Sequence, residues 1–140
     1  MRIELKGRPI MSGVSRGRAL VSKNPLSFLG GVDLKTGRVI EKNHDLKGRI
    51  LADTILCFPH GHGSTVGSYV LYSLVKRKIG PKAIVNETAD PVIVAGAVIA
   101  GIPMVDKIDI SQIRTGDLVE VDGDRGIVRI IERSESLVSN

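Results

Sequence analysis

The sequence predicts a mixed α/β domain in which a β-rich body carries a small α/β layer. Segments that alternate, or run apolar at strand length, outnumber those with helical spacing, and the two helical segments cluster mid-chain. Aromatic residues make up 3% of the chain, with no Trp. The core therefore falls to Val, Ile, Leu and Ala, which suits a sheet covered by short helices. At 140 residues and 42% hydrophobic content the chain can build one core and is too short for two ordinary domains, so one domain over 1–140 is expected.

Arg2 to Arg8 alternates charged and apolar residues like an edge strand, and Gly17 to Val21 reads as a second strand. Pro25 to Gly31 is a loop or a single helical turn, and Lys35-Thr36-Gly37 is turn chemistry leading into Arg38-Val39-Ile40. Ile50 to Phe58 is almost wholly apolar and reads as a buried strand. Val66, Val70, Leu71, Leu74 and Val75 then recur at helical spacing until Gly80-Pro81 stops the helix. Ala83 to Asn86 is a short buried strand. Asp90-Pro91 supplies an N-cap and an N1 proline for a helix over Val92 to Ala100, closed by Gly101. Pro103-Met104-Val105 is a further short strand, and Asp117 to Ile130 alternates on both sides of a glycine turn, as a hairpin does.

The run from Phe58 through Leu74 carries the strongest functional signal. It reads strand, glycine turn, helix, with Gly61, Gly63 and Gly67 allowing positive φ and close backbone approach. Ser64 and Thr65 suit the N-cap, which leaves orphan amide donors and the positive end of the helix dipole aimed outward, a place that attracts a phosphate, a carboxylate or an alkoxide. Serine is also a favoured cap in any helix; the glycine density is what sets this turn apart. Thr65 fits the first turn as a backbone partner, and Ser68, one turn inside, can bond back to a carbonyl. Ser12 and Ser15 lie in an earlier glycine loop, where a turn role suffices.

Twenty basic against fifteen acidic residues give a net charge of +5. The pI near 9.6 is compatible with an anionic substrate. Nucleic-acid binding is disfavoured, because the basic residues are scattered and two Tyr and two Phe give no stacking platform. The run Lys76-Arg77-Lys78 sits where a helix C-terminus wants positive charge. Cys57, the one cysteine, lies in the apolar strand and reads as a small buried hydrophobe; one thiolate cannot by itself hold a zinc ion or an iron–sulfur cluster. Any metal would come with another chain. The N-terminus has no hydrophobic signal core, and Pro91 to Val105 is too short and too broken by Gly and Pro to span a bilayer. A soluble, cytoplasmic protein without a membrane partner is expected.

The glycine-serine run, the Pro81 to Asn86 strand, the segment Ala89 to Asp106 and the opening Gly13 to Ala19 together resemble the small subunit of aconitase X type enzymes over nearly the whole chain. Gly63 through Leu74 is the most specific part. The resemblance implies a swivelling β/β/α domain that closes over a large subunit holding a 4Fe-4S cluster. The implied reaction is loss of water from (R)-5-phosphomevalonate to give trans-anhydromevalonate 5-phosphate in the archaeal route to isoprenoids. The family's catalytic serine carries over onto Ser64 as general base, with Gly63, Thr65 and His62 placed around the substrate. Relatives carry arginine where His62 stands, so less positive charge is expected there. Dehydration of a hydroxyproline-like substrate is the alternative within the group.

The opening loop, the Ala89 to Val105 segment and the terminal hairpin also resemble the swivelling phosphohistidine domain of phosphoenolpyruvate-utilising enzymes. The stretch Asn86 to Pro91, where that family carries its histidine, has none; His44, His60 and His62 lie elsewhere, and a phosphorylated His62 would lack an orienting partner.

Overall fold

The computed structural model describes residues 2–134; Met1 and residues 135–140 of the expected domain lie outside the described residues. The strands are β1 (Ile3–Lys6), β2 (Arg8–Met11), β3 (Val14–Val21), β4 (Thr54–Phe58), β5 (Ala83–Asn86), β6 (Met104–Asp106), β7 (Leu118–Asp122) and β8 (Ile127–Glu132). Two helices, α1 (Gly67–Lys76) and α2 (Pro91–Ala100), and a 3-10 turn at Ile110–Gln112 accompany them. All eight strands join one sheet in the order β1-β8-β7-β3-β4-β5-β6-β2. The central pairs from β3 to β6 are parallel, and the outer pairs are antiparallel.

Topology forces this sheet to curl. β1 and β2 stand at opposite ends of the strand order, yet only Gly7 separates them in the chain. The two edges must therefore meet at Gly7, whose amide donates to the Gly126 carbonyl at 2.7 Å. A Cβ on Gly7 would come within 2.1 Å of the Asp106 carbonyl oxygen, so only glycine passes this corner.

The curl creates two cores. Facing inward, Ile55, Cys57, Ala83, Val85, Val105, Val119, Val121, Val128 and Ile130 pack with Ile110 and Ile113. On the other face Leu20, Leu56, Phe58, Ile84 and Met104 pack under α1, α2 and the long loop carrying Leu26, Phe28, Val39 and Leu51. Successive β4 residues thus point into different cores, which is why this strand is apolar without alternation. Cys57 is wholly buried, where burial pushes its thiol pKa up and keeps it neutral, so it packs as the small hydrophobe expected.

Several expected boundaries shift. The apolar run from Ile50 contributes Leu51 to the core from a turn in which Asp53 has φ 61°, so the strand starts only at Thr54. The expected Arg2 to Arg8 edge strand is split by the Gly7 corner into β1 and the start of β2, and β3 begins three residues before Gly17, at Val14. Helix α1 ends at Lys76 rather than at Gly80-Pro81. Its end is a Schellman turn: Lys78 takes φ 65°, its amide donates to Val75, and the Ile79 amide donates to Leu74. Arg77 donates to the Leu34 carbonyl at 2.8 Å and the Lys76 ammonium stands over Tyr72, so two of the three clustered cations have partners within the chain. α2 follows its sequence signals: Asp90 caps it, Pro91 opens it, and Gly101 closes it at φ 73°. Gly96 lets the helices approach, since a Cβ there would meet Leu71 Cδ2 at 2.9 Å.

The corner also carries a pH-sensitive ion pair. Asp106, its side chain fully buried, accepts from Arg8 Nε at 2.9 Å and Nη2 at 2.8 Å and from the Ala89 amide at 2.9 Å. Burial pushes the Asp106 pKa up, but the hydrogen bonds from Arg8 and Ala89 outweigh it and hold the carboxyl below its ordinary value. A depressed folded-state pKa stabilises above the unfolded value and is lost as pH falls, so denaturant midpoints should drop below about pH 4. Asp106→Asn should remove that part of the acid dependence; an unchanged slope would deny Asp106 the role.

Candidate active site

Three segments build the loop that presents Ser64. β4 delivers the chain to Pro59, and Leu26 runs alongside as a one-residue parallel bridge to Gly61: the Leu26 amide donates to the His60 carbonyl at 3.2 Å and the His62 amide to the Leu26 carbonyl at 3.1 Å. Asp90 reaches across from the start of α2, where its Oδ2 accepts from the Val92 and Ile93 amides while its Oδ1 accepts from the Gly61 amide at 2.8 Å. Gly61 has no room for a side chain, because a Cβ would lie 2.4 Å from Ile93 Cγ1. Gly63 takes φ +90°, and a Cβ on it would lie 2.4 Å from Ser27 Oγ. The glycines therefore serve close packing at Gly61 and both packing and backbone sign at Gly63.

The chain then enters α1 differently from the expected cap. Val66, not Ser64 or Thr65, is the N-cap, and it makes no side-chain capping bond. The cause is a tight turn ahead of the helix, in which the Gly67 amide donates to the Ser64 carbonyl at 2.9 Å and the Ser68 amide to the Thr65 carbonyl at 3.2 Å. Ser64 Oγ accepts from the Val66 amide at 3.1 Å within that turn. The hydroxyl stays exposed. Among the described residues, the amides of Gly63, Ser64 and Thr65 donate to no group of the chain. Three successive unpaired donors and a helix N-terminus make the surroundings of Ser64 electropositive.

The other sequence candidates fall as follows. Thr65 is exposed and its carbonyl accepts from the Ser68 hydroxyl at 2.9 Å, the back-bond expected of Ser68. His62 is half-exposed, and its Nε2 lies 3.0 Å from Glu41 Oε2. It also borders a shallow cleft of about 300 Å³ lined with Asn24, Lys42, Asn43 and His44. His44 itself is buried and structural, with Nε2 donating to the Pro25 carbonyl and Nδ1 accepting from the Leu46 amide. Ser15 lies in β3, and Ser12 in the link that precedes it.

Sequence reasoning missed Ser27, Glu41 and the second duty of Asp90. Glu41 Oε1 accepts from the Ser27 amide at 2.9 Å, 14 residues away, and no motif marks such a pair. The signal for Asp90 was its capping role, which says nothing of Gly61.

A curled mixed sheet with two covering helices, and a serine exposed on a glycine turn between β4 and α1, define the class: the chain belongs to the aconitase X swivel domain family, which matches residues 4–130. It is 56% identical over 130 residues to a phosphomevalonate dehydratase small subunit of Thermococcus sibiricus, covering 93% of this chain and 100% of that one. The corresponding small subunit of Methanocaldococcus jannaschii is 53% identical, over 94% of this chain and 100% of its own. A crystal structure of Thermococcus kodakaraensis aconitase X in its holo-form superposes with TM-score 0.91 at 50% identity, covering 93% of this chain and 99% of that one. No helix among the described residues is long and apolar enough to cross a membrane.

Proposed function

We propose that this chain is the small subunit of a cytoplasmic hydro-lyase that removes water from (R)-5-phosphomevalonate to give trans-anhydromevalonate 5-phosphate. What carries the reading is the likeness to relatives named for that dehydration, spread over their full length. Ser64 is the general base: its oxygen takes the proton from the carbon beside the substrate carboxylate, and the hydroxyl on the next carbon, protonated from the large-subunit side of the site, departs as water as the double bond forms. A serine hydroxyl is almost wholly protonated near neutral pH, so this role needs the charge on Oγ offset. The unpaired amides at positions 63, 64 and 65 supply donors for that charge or for the substrate's own anionic groups, and the dipole of α1 adds a positive field behind them. Gly63, Thr65 and His62 are the residues that line the substrate on this side.

The donors of this chain do not fit an iron–sulfur cluster. Its one thiol, Cys57, is wholly buried among Ile55, Val85 and Val105, and burial raises its pKa. The proposal therefore lodges the 4Fe-4S cluster in a large subunit, and no step of the serine chemistry is routed through it here. Val66 and Tyr69, exposed at 48% and 65%, flank the entry to α1 beside Ser64 and offer an apolar rim for that subunit to cover. Closing this domain over the partner would exclude water and bring the base to the substrate.

The test is to purify the chain from its native cell with whatever accompanies it, assay iron and sulfide, and offer the complex 5-phosphomevalonate and a hydroxyproline in parallel. Anhydromevalonate phosphate should form only with the complex. Turnover of the hydroxyproline alone would reassign the substrate, and turnover by the isolated chain would overturn the shared site.

A further inference from the structure

Two carboxylates grip the loop ahead of Ser64, and only one has an ordinary structural duty. Asp90 caps α2; Glu41 caps no helix, and among the described residues the side chain it meets is His62 rather than a Lys or Arg. Both of its oxygens are used: Oε1 accepts from the Ser27 amide at 2.9 Å and Oε2 stands 3.0 Å from His62 Nε2. Its side chain is 22% exposed. The surroundings are shaped to hold it there. The Ile40 and Glu41 amides both donate to the Gly31 carbonyl, at 2.8 and 3.1 Å, and a Cβ on Gly31 would lie 2.7 Å from Glu41 Oε1.

The two groups that Glu41 ties together belong to the two segments that set the serine. Ser27 follows Leu26, the bridge partner of Gly61, and its Oγ fills the space beside Gly63; His62 lies between those glycines. We infer that Glu41 is a positioning residue for the dehydration, fixing the place of Ser64 through His62 and the Ser27 amide; the inference rests on Ser64 acting as the base. Hydrogen bonds to an ionised carboxylate are shorter and stronger than neutral ones, which suits a clamp on a glycine turn that would otherwise move. Displacing a catalytic group by about 1 Å can cost on the order of 100-fold in rate. Among the described residues the Glu41 carboxylate bonds to the Ser27 amide and His62 and to no group of α1 or α2, so its loss should act on the rate and leave the helices in place.

The experiment compares wild type, Glu41→Ala, Glu41→Gln and Ser64→Ala, each in complex with the large subunit, by kcat, KM and amide hydrogen exchange. Glu41→Ala should lower kcat by about 30- to 100-fold with KM within about threefold. Exchange should quicken at the bonded amides of Gly61 and His62, which give 2.8 and 3.1 Å bonds in the wild type, and stay unchanged in α1 beyond its first turn and in α2. Glu41→Gln keeps an acceptor for Ser27 and a polar group for His62, and should recover kcat to within about fivefold of wild type. A Glu41→Ala kcat within about twofold of wild type, exchange quickened throughout the domain, or a Glu41→Gln variant no better than the alanine would each overturn the positioning role. Those results leave Ser64→Ala free to be inactive on its own account; a Ser64→Ala complex that still turns over would instead remove the serine reading on which the inference stands.

Discussion

Ser64→Ala, assembled with its large subunit, is expected to lose turnover by roughly 100- to 10,000-fold, the range that a positioned general base supplies. The complex itself should survive, because Ser64 is exposed and, among the described residues, its hydroxyl bonds to the Val66 amide alone, at 3.1 Å. That amide lies at the surface and can turn to water, so the stability cost should stay within about 1 kcal/mol, below what would unfold the domain. Rate and stability are thereby separable: thermal midpoint and co-elution with the partner should match wild type while turnover falls. Near-normal turnover would take Ser64 out of the chemistry.

Asp90→Ala should lower stability through two losses at once. One oxygen caps α2 through the Val92 and Ile93 amides and the other accepts from Gly61, whose residue is buried. Losing an N-cap costs about 0.5–2 kcal/mol, and leaving a buried amide unpaired costs about 1–3 kcal/mol. The two effects share one side chain and act on different elements, so a total of about 2–4 kcal/mol is expected. In a domain of this size that lowers the thermal midpoint by about 5–15 °C. Asp90→Asn, which keeps one acceptor, should fall between the two. A midpoint within about 2 °C of wild type for the alanine variant would show that Gly61 and α2 do not depend on Asp90.

The parts of this fold legible in the sequence are those whose signals are local. Asp90-Pro91 and Gly101 mark both ends of α2, and the glycine turn within Asp117 to Ile130 marks the β7–β8 hairpin, because a cap or a turn is satisfied by neighbours in the chain. β2 was not separately legible. It exists because Gly7 lets the curled sheet close on itself, and Arg8-Pro9-Ile10-Met11 carries a proline that argues against a strand. The end of α1 was misplaced for a related reason: Lys78 takes a left-handed conformation more typical of glycine, so the chain leaves the helix before the Gly80-Pro81 signal.

The candidate site divides along the same line. Ser64 was legible because glycine, serine and the apolar repeat of α1 are adjacent in sequence. Its expected cap was not formed, since a cap depends on where the first helical turn closes, and the turn from Ser64 to Gly67 moves that start to Val66. Glu41 and Ser27 were invisible because they reach the loop across the Leu26 to Gly61 bridge, a contact that exists only once the long loop has folded over β4. His62 was read as a substrate-side residue carrying less positive charge than an arginine; its 3.0 Å contact with Glu41, 21 residues away, had no signal in the sequence.

Deuterium exchange at the carbon beside the carboxylate tests most directly whether the oxygen of residue 64 takes the substrate proton. The complex, supplied with anhydromevalonate phosphate in D2O, should place deuterium at that carbon in wild type as the reaction runs backward, and the Ser64→Ala complex should place almost none. Deuterium incorporated by Ser64→Ala at the wild-type rate would contradict the account.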